Sequence, residues 1–126
     1  MQKIEIEYLI DSSPRILFDR LSTPEGLSEW FADEVIVDEQ TFTFVWEGIE
    51  EQAELLDIKD LSYVRFKWVE SEENAYFEFR IGEPELTNDI ALIVTDFAID
   101  EEKEETFELW ETQIQKLKRV LGDTKK

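Results

Sequence analysis

The stretch that most constrains this chain is its end, residues 100–122. Counted at about 100° per residue, Phe107, Trp110, Ile114, Leu117 and Leu121 fall within one arc of roughly 80°, a single apolar stripe along one continuous helix. Asp100 is placed to cap the first turn. Glu101, Glu102, Glu104 and Glu105 lie at the positive end of the helix dipole, and Lys116, Lys118 and Arg119 lie at the negative end. Gly122 supplies the stop. Such a stripe needs an apolar partner, and the residues before it alternate as strands, so the helix is expected to lie against a sheet.

The strand signals start at residue 34, where the apolar period shortens to two. Residues 34–38 and 41–46 alternate around a short link at Asp38, Glu39 and Gln40, with Phe42, Phe44 and Trp46 on one side. Gly48 marks the next turn, and residues 52–58 read as a strand with Ala53 and Leu55 on one face. Residues 63–69 place Val64, Phe66 and Trp68 opposite Tyr63, Arg65 and Lys67. Residues 75–81 place Phe77, Phe79 and Ile81 opposite Tyr76, Glu78 and Arg80. Gly82, Glu83 and Pro84 break that run. Residues 90–97 are apolar on both sides, the pattern of a strand covered on both faces or at an interface.

Ahead of these, residues 3–10 alternate with Ile4, Ile6, Tyr8 and Ile10 on one side. Ser13-Pro14 and Thr23-Pro24-Glu25 are each a cap followed by proline at the first helical position, so two short helices follow the first strand. Leu17, Phe18 and Leu21 form the stripe of one; Leu27, Trp30 and Phe31 lie on one side of the other. The order is strand, two short helices, six strands and a long helix. A meander of that length should be antiparallel and curved around the final helix. The expected class is therefore α+β with a helix-grip fold, a sheet of about seven strands (β-α-α-β6-α) wrapped around a long C-terminal helix, in one domain over residues 1–126.

Composition narrows the chemistry. The chain has no His and no Cys, which removes thiol nucleophiles, disulfides, His-based metal sites and the usual general base near neutral pH. No catalytic residue, metal site or cofactor is assigned. Asp57, Asp60, Glu70, Glu72 and Glu73 match no calcium-loop pattern and read as solvated loop acids. With 32 acidic and 13 basic residues the net charge is −19, which disfavours nucleic acid and anionic lipid as partners. No apolar run reaches signal-peptide or membrane-spanning length, and the expected setting is cytoplasmic.

The run from Ser13 to Phe31, SPRILFDRLSTPEGLSEWF, resembles the opening of START-like (Bet v 1-like, SRPBCC) domains. It is most similar to the branch named after the activator of the heat-shock protein 90 ATPase, where a helix, a Thr-Pro-Glu turn and a Trp-Phe pair follow the first strand. Leu109-Trp110 with Ile114 and Leu117 looks like that branch's final helix, and the element order agrees over nearly the full length. The segment from Ala32 to Trp46 departs from many members in being short and free of glycine. The resemblance implies a helix-grip domain, in a superfamily that includes ligand carriers, cyclases and co-chaperone-like domains.

Four Trp, three Tyr and nine Phe are many rings for one packing layer in so small a domain. Trp30, Phe31, Phe44, Trp46, Phe66, Trp68, Phe77, Phe79, Trp110 and Ile114 are expected to line a cavity between sheet and helix, entered near Trp30 and Phe31. Thr106 and Gln113 flank the helix stripe and can offer hydrogen bonds inside; Arg80 and Tyr76 fall on the opposite sheet face. The expected function is non-catalytic binding of an apolar small molecule of lipid, sterol or polyketide type. The alternative is a protein-interaction module docking a protein partner through the acidic exterior or a sheet edge. Oligomeric state is left open.

Overall fold

The structure, a computed structural model, describes residues 1–71, 75–82 and 89–122. Glu72, Glu73, Asn74, Glu83 and Pro84, which the sequence places in links between strands, lie outside the described residues. Seven strands form one antiparallel sheet in the order β1-β7-β6-β5-β4-β3-β2. They are β1 (Gln2–Ile10), β2 (Glu34–Asp38), β3 (Thr41–Trp46), β4 (Ile49–Lys59), β5 (Tyr63–Trp68), β6 (Phe77–Gly82) and β7 (Ile90–Ala98). Helices α1 (Pro14–Ser22) and α2 (Pro24–Leu27) follow β1, and α3 (Lys103–Leu121) is the last element of the described residues. The sheet curves around α3 as a helix-grip fold, as the element order implies.

Local chemistry sets these boundaries. The Ser13 hydroxyl accepts the Ile16 amide at 3.2 Å and starts α1. Thr23 acts at both helices: its hydroxyl donates to the Asp19 carbonyl at 2.7 Å and accepts the Gly26 amide at 2.9 Å. The hairpin bends use left-handed backbone, at Glu39 between β2 and β3 and at Glu47 and Gly48 between β3 and β4. β4 runs longer at both ends than its side-chain alternation suggests, because backbone pairing continues with β3 to Ile49 and with β5 to Lys59. A register shift between Leu55 and Asp57 breaks its pattern of faces.

Phe42, Phe44, Ala53, Val64, Phe66, Phe77, Phe79, Leu92 and Val94 are buried on the inner face. β7 lies between β1 and β6, and its outer-facing Ala91 and Thr95 are buried as well. Its doubly apolar sequence thus matches a strand that is buried on both faces. On the outer face Glu78, only 5 % exposed, accepts from Arg65 Nη2 at 2.7 Å and from Arg80 Nε at 3.0 Å. Arg65 lies over the Tyr76 ring and Arg80 over the Tyr63 ring. Arg80 and Tyr76 thus sit away from α3, as their strand phase requires.

The final helix differs in detail from its sequence pattern. Asp100–Glu102 form one 3-10 turn ahead of α3, and neither Asp100 nor Glu102 makes a side-chain cap. Trp110, Ile114 and Leu117 are buried, but Phe107 is 39 % exposed. A straight helix laid across a curved sheet is covered over its middle and less at its ends, so the buried stripe is shorter than the apolar one. Gly122 stops the helix with a left-handed residue, as expected. Among the described residues no helix is long and apolar enough to cross a membrane.

Gly26 is the tightest point between the short helices: a Cβ there would run into the Asp19 carbonyl oxygen and approach the Arg20 Cα to 2.6 Å. Gly26→Ala should therefore destabilise the fold by about 1–3 kcal/mol, read as a lower urea midpoint, because both obstacles are backbone. An unchanged midpoint would show that α1 and α2 can separate freely.

Candidate functional site: an aromatic groove beside the C-terminal helix

The turn after α2 delivers Trp30 and Phe31 beneath the sheet. The Trp30 Nε1 donates to the Arg20 carbonyl at 2.8 Å, which holds the turn against the end of α1. The Phe31 ring lies 5.0 Å from Phe44, 5.4 Å from Trp46, 5.7 Å from Phe77 and 6.0 Å from Trp110. Its carbonyl accepts two side-chain donors, Trp46 Nε1 at 2.7 Å and Gln113 Nε2 at 2.9 Å. One residue thereby joins the α2 turn, β3 and α3.

Beside this packed centre a groove of about 540 Å³ opens to solvent between α3 and strands β3 to β5. Its apolar wall is Phe31, Trp46, Trp68, Leu109 and Trp110; its polar lining includes Glu51, Asp96, Thr106, Gln113 and Lys116. Trp46 and Trp68 are half-buried and face each other at a tilt, ring centres 6.3 Å apart. A smaller hollow of about 260 Å³ adjoins it on the side of Trp30 and shares Phe31, Trp46 and Lys116. A further one of about 640 Å³ runs along Ile49–Gln52 and Trp68–Glu70 and shares Glu51 and Trp68.

Of the residues expected to line a cavity, Phe31, Trp46, Trp68 and Trp110 come together in the groove. Trp30 borders only the smaller hollow. Phe44, Phe66, Phe77, Phe79 and Ile114 lie behind the wall, each at most 1 % exposed, as its packed backing. Alternation identifies the inner face of a strand, but not which part of that face α3 covers. Leu109, Glu51, Asp96 and Lys116 join the groove although none was expected to line a cavity. Two carried a signal: Leu109 is a large apolar residue outside the stripe, 67 % exposed, and Asp96 is an acid at an inward position of an apolar strand.

Asp96 is held from two sides. Its Oδ2 accepts Trp110 Nε1 at 2.8 Å and its Oδ1 accepts the Phe97 amide at 2.7 Å. Burial pushes its carboxyl above the usual range; the two hydrogen bonds pull the other way without cancelling that push. The Thr106 hydroxyl donates to the Glu102 carbonyl at 2.9 Å within the helix, so the inward hydrogen bond expected of Thr106 is made along the chain instead. Gln113 does turn inward, to Phe31. On β1, burial and the nearby Glu111 raise the Tyr8 phenol to about 12. With these donors engaged, the groove offers indole faces, carboxylates at its edge and one ammonium. Such a lining suits stacking on apolar surface.

A model of the START-like superfamily domain matches residues 1–123. The chain belongs to the START-like superfamily. This START-like domain is similar to BfR322 from Bacteroides fragilis, known from a solution structure, at 41% identity and TM-score 0.68, over 94% of this chain and 90% of that one. It shares its fold with the Aha1 dimer from Colwellia psychrerythraea at TM-score 0.81 and 16% identity, covering 100% of both chains. It also shares the fold of DynU16 from the dynemicin biosynthetic locus, at TM-score 0.80 and 13% identity over 98% of this chain and 48% of that one. No curated protein matches the sequence.

Trp110 both packs on Phe31 and Phe79 and donates to Asp96. Trp110→Ala should cost roughly 3–5 kcal/mol in denaturant unfolding, and an unchanged midpoint would mean that α3 docks without it. A carboxyl with a raised folded-state pKa holds its proton longer folded than unfolded, so it removes stability as pH rises through that window. Asp96→Asn should abolish that loss. Its urea midpoint relative to the parent should be higher at about pH 7 than at about pH 3, and a pH-independent difference would contradict the assignment.

Proposed function

We propose that this START-like domain binds an apolar small molecule in the groove between α3 and strands β3 to β5, without transforming it. The observation that carries this reading is a groove of about 540 Å³ walled by the half-buried Trp46 and Trp68 and floored by the buried Phe31 and Trp110. That volume lies within the roughly 300–1,000 Å³ of typical ligand sites. The wall is preorganised. Trp46 and Trp110 have their indole N–H groups bonded internally, so their faces are set before any ligand arrives and little side-chain ordering is required on binding. Leu109 extends the apolar surface along the outer lip. Membership of a superfamily that often binds ligands supports the same reading.

The occupant lies across the wall rather than inside the sheet, because Phe66, Phe77 and Phe79 fill the space behind. Its entry is the mouth bounded by Trp68, Leu109 and Gln113, displaced from the Trp30 side. A protein-interaction module is the second reading, favoured by the likeness in fold to the Aha1 dimer. In that reading the same wall would seat a side chain of a partner.

Thermal shift and tryptophan emission across a panel of fatty acids, sterols and aromatic polyketides test the proposal. At about 100 times its dissociation constant a bound ligand should stabilise the fold by roughly 2.7 kcal/mol. Trp68→Ala, at a half-buried position, should weaken each hit while leaving the protein folded. A panel in which nothing moves either signal would discard small-molecule binding in favour of the interaction module.

A further inference from the structure

The groove and the hollow along Ile49–Gln52 are one trough, because Glu51 and Trp68 line both. Its two ends differ in charge. Lys116 is shared with the hollow beside Trp30, where Glu29 pairs with Arg20 and Asp33 accepts the Glu47 amide, so the acids on the side of the α2 turn already have partners. The far end carries Glu51 and Glu70 beside the half-buried Trp68 ring, with Ile49 as an apolar neighbour; Glu50, which pairs with Val45, has the opposite strand phase. Among the described residues neither Glu51 nor Glu70 forms an ion pair.

We propose that the occupant of the groove is an organic monocation with an apolar body, its charge over Trp68 beside Glu51 and Glu70 and its body along Trp46, Trp110 and Leu109. The proposal rests on the groove being a binding site and adds the charge of what it binds. Glu51, Glu70 and Asp96 outnumber the one lysine along the trough, so an anion meets more repulsion than attraction there. An indole is the aromatic face that attracts a cation most strongly, and the attraction grows as the cation sheds water against apolar surface. A neutral apolar molecule would leave the carboxylates unchanged but unused. At longer range the net charge of −19 concentrates cations near the surface, and the trough then selects those with an apolar body.

Titration of tryptophan emission with octyltrimethylammonium, octanol and octyl sulfate, each below its micelle concentration, separates these terms. Octyltrimethylammonium should bind about tenfold tighter than octanol, and octyl sulfate more weakly than either. Tetramethylammonium, which lacks the body, should give no saturable change. The double variant Glu51→Gln/Glu70→Gln should lower affinity for the cation about fivefold while leaving octanol unaffected, which also shows that the variant is folded. Glu108→Gln, an exposed position of α3 outside the trough, should change neither. Equal affinity for cation and octanol, or an equal loss in Glu108→Gln, would overturn the charge assignment while octanol binding upheld the groove. Failure of all three octyl probes would overturn both.

Discussion

The carbonyl of Phe31 is the point on which the three layers of this domain converge. It accepts one donor from β3, Trp46 Nε1, and one from α3, Gln113 Nε2, while its own ring packs against inner-face aromatics of β3 and β6 and against Trp110. A buried carbonyl with both lone pairs engaged resists small shifts, since losing either donor leaves polar atoms unmatched in an apolar surrounding. The position of the helix over the sheet is thus set by directional bonds as well as by area. Hydrophobic burial alone would leave α3 free to slide along its stripe. Lys103, donating to Gln2 at 3.1 Å, adds a second tether near the start of α3, to the opposite edge of the sheet.

The same economy governs the charges. Among the described residues Glu78 is the one buried acid, and it is matched by two guanidiniums that are themselves stacked on tyrosines. The other described acids stay at least partly in contact with water, which is how a chain of net charge −19 can close around an apolar interior. Asp96 is the intermediate case, half-buried at the edge of the groove with the Trp110 indole and one amide as partners. Its raised pKa is the cost of placing a carboxyl where apolar surface and solvent meet.

The groove follows from the mismatch between a straight helix and a curved sheet. Where α3 crosses the middle of the sheet, Ile114 and Leu117 close the space completely. Toward the helix start the surfaces diverge, and Trp46, Trp68 and Trp110 are left as walls of an opening. In this START-like domain the superfamily's sheet–helix space is therefore divided between a packed interior and a surface trough. Large rings perform both tasks: Phe44, Phe66, Phe77 and Phe79 fill the core, and Trp46 and Trp68 line the opening.

The sequence by itself determined the elements, their order and their inward faces. Period, caps and proline positions are local, and here they agree with one another from Ser13 to Gly122, so the helix-grip architecture and the inner aromatics were legible without coordinates. It also carried the family likeness, in the Ser13–Phe31 run and the final helix. It did not separate Phe44, Phe66, Phe77 and Phe79, which are core, from Trp46 and Trp68, which are wall, because all have the same strand phase. Only the tertiary structure decided that, through the angle at which α3 crosses the sheet. It also decided which acids share a surface: Glu51 and Glu70 are distant in sequence and meet because β4 pairs with β5. Side-chain periodicity is a property of each segment, whereas a groove is a property of the distance between segments, and that distance is set by how the buried side chains fit together.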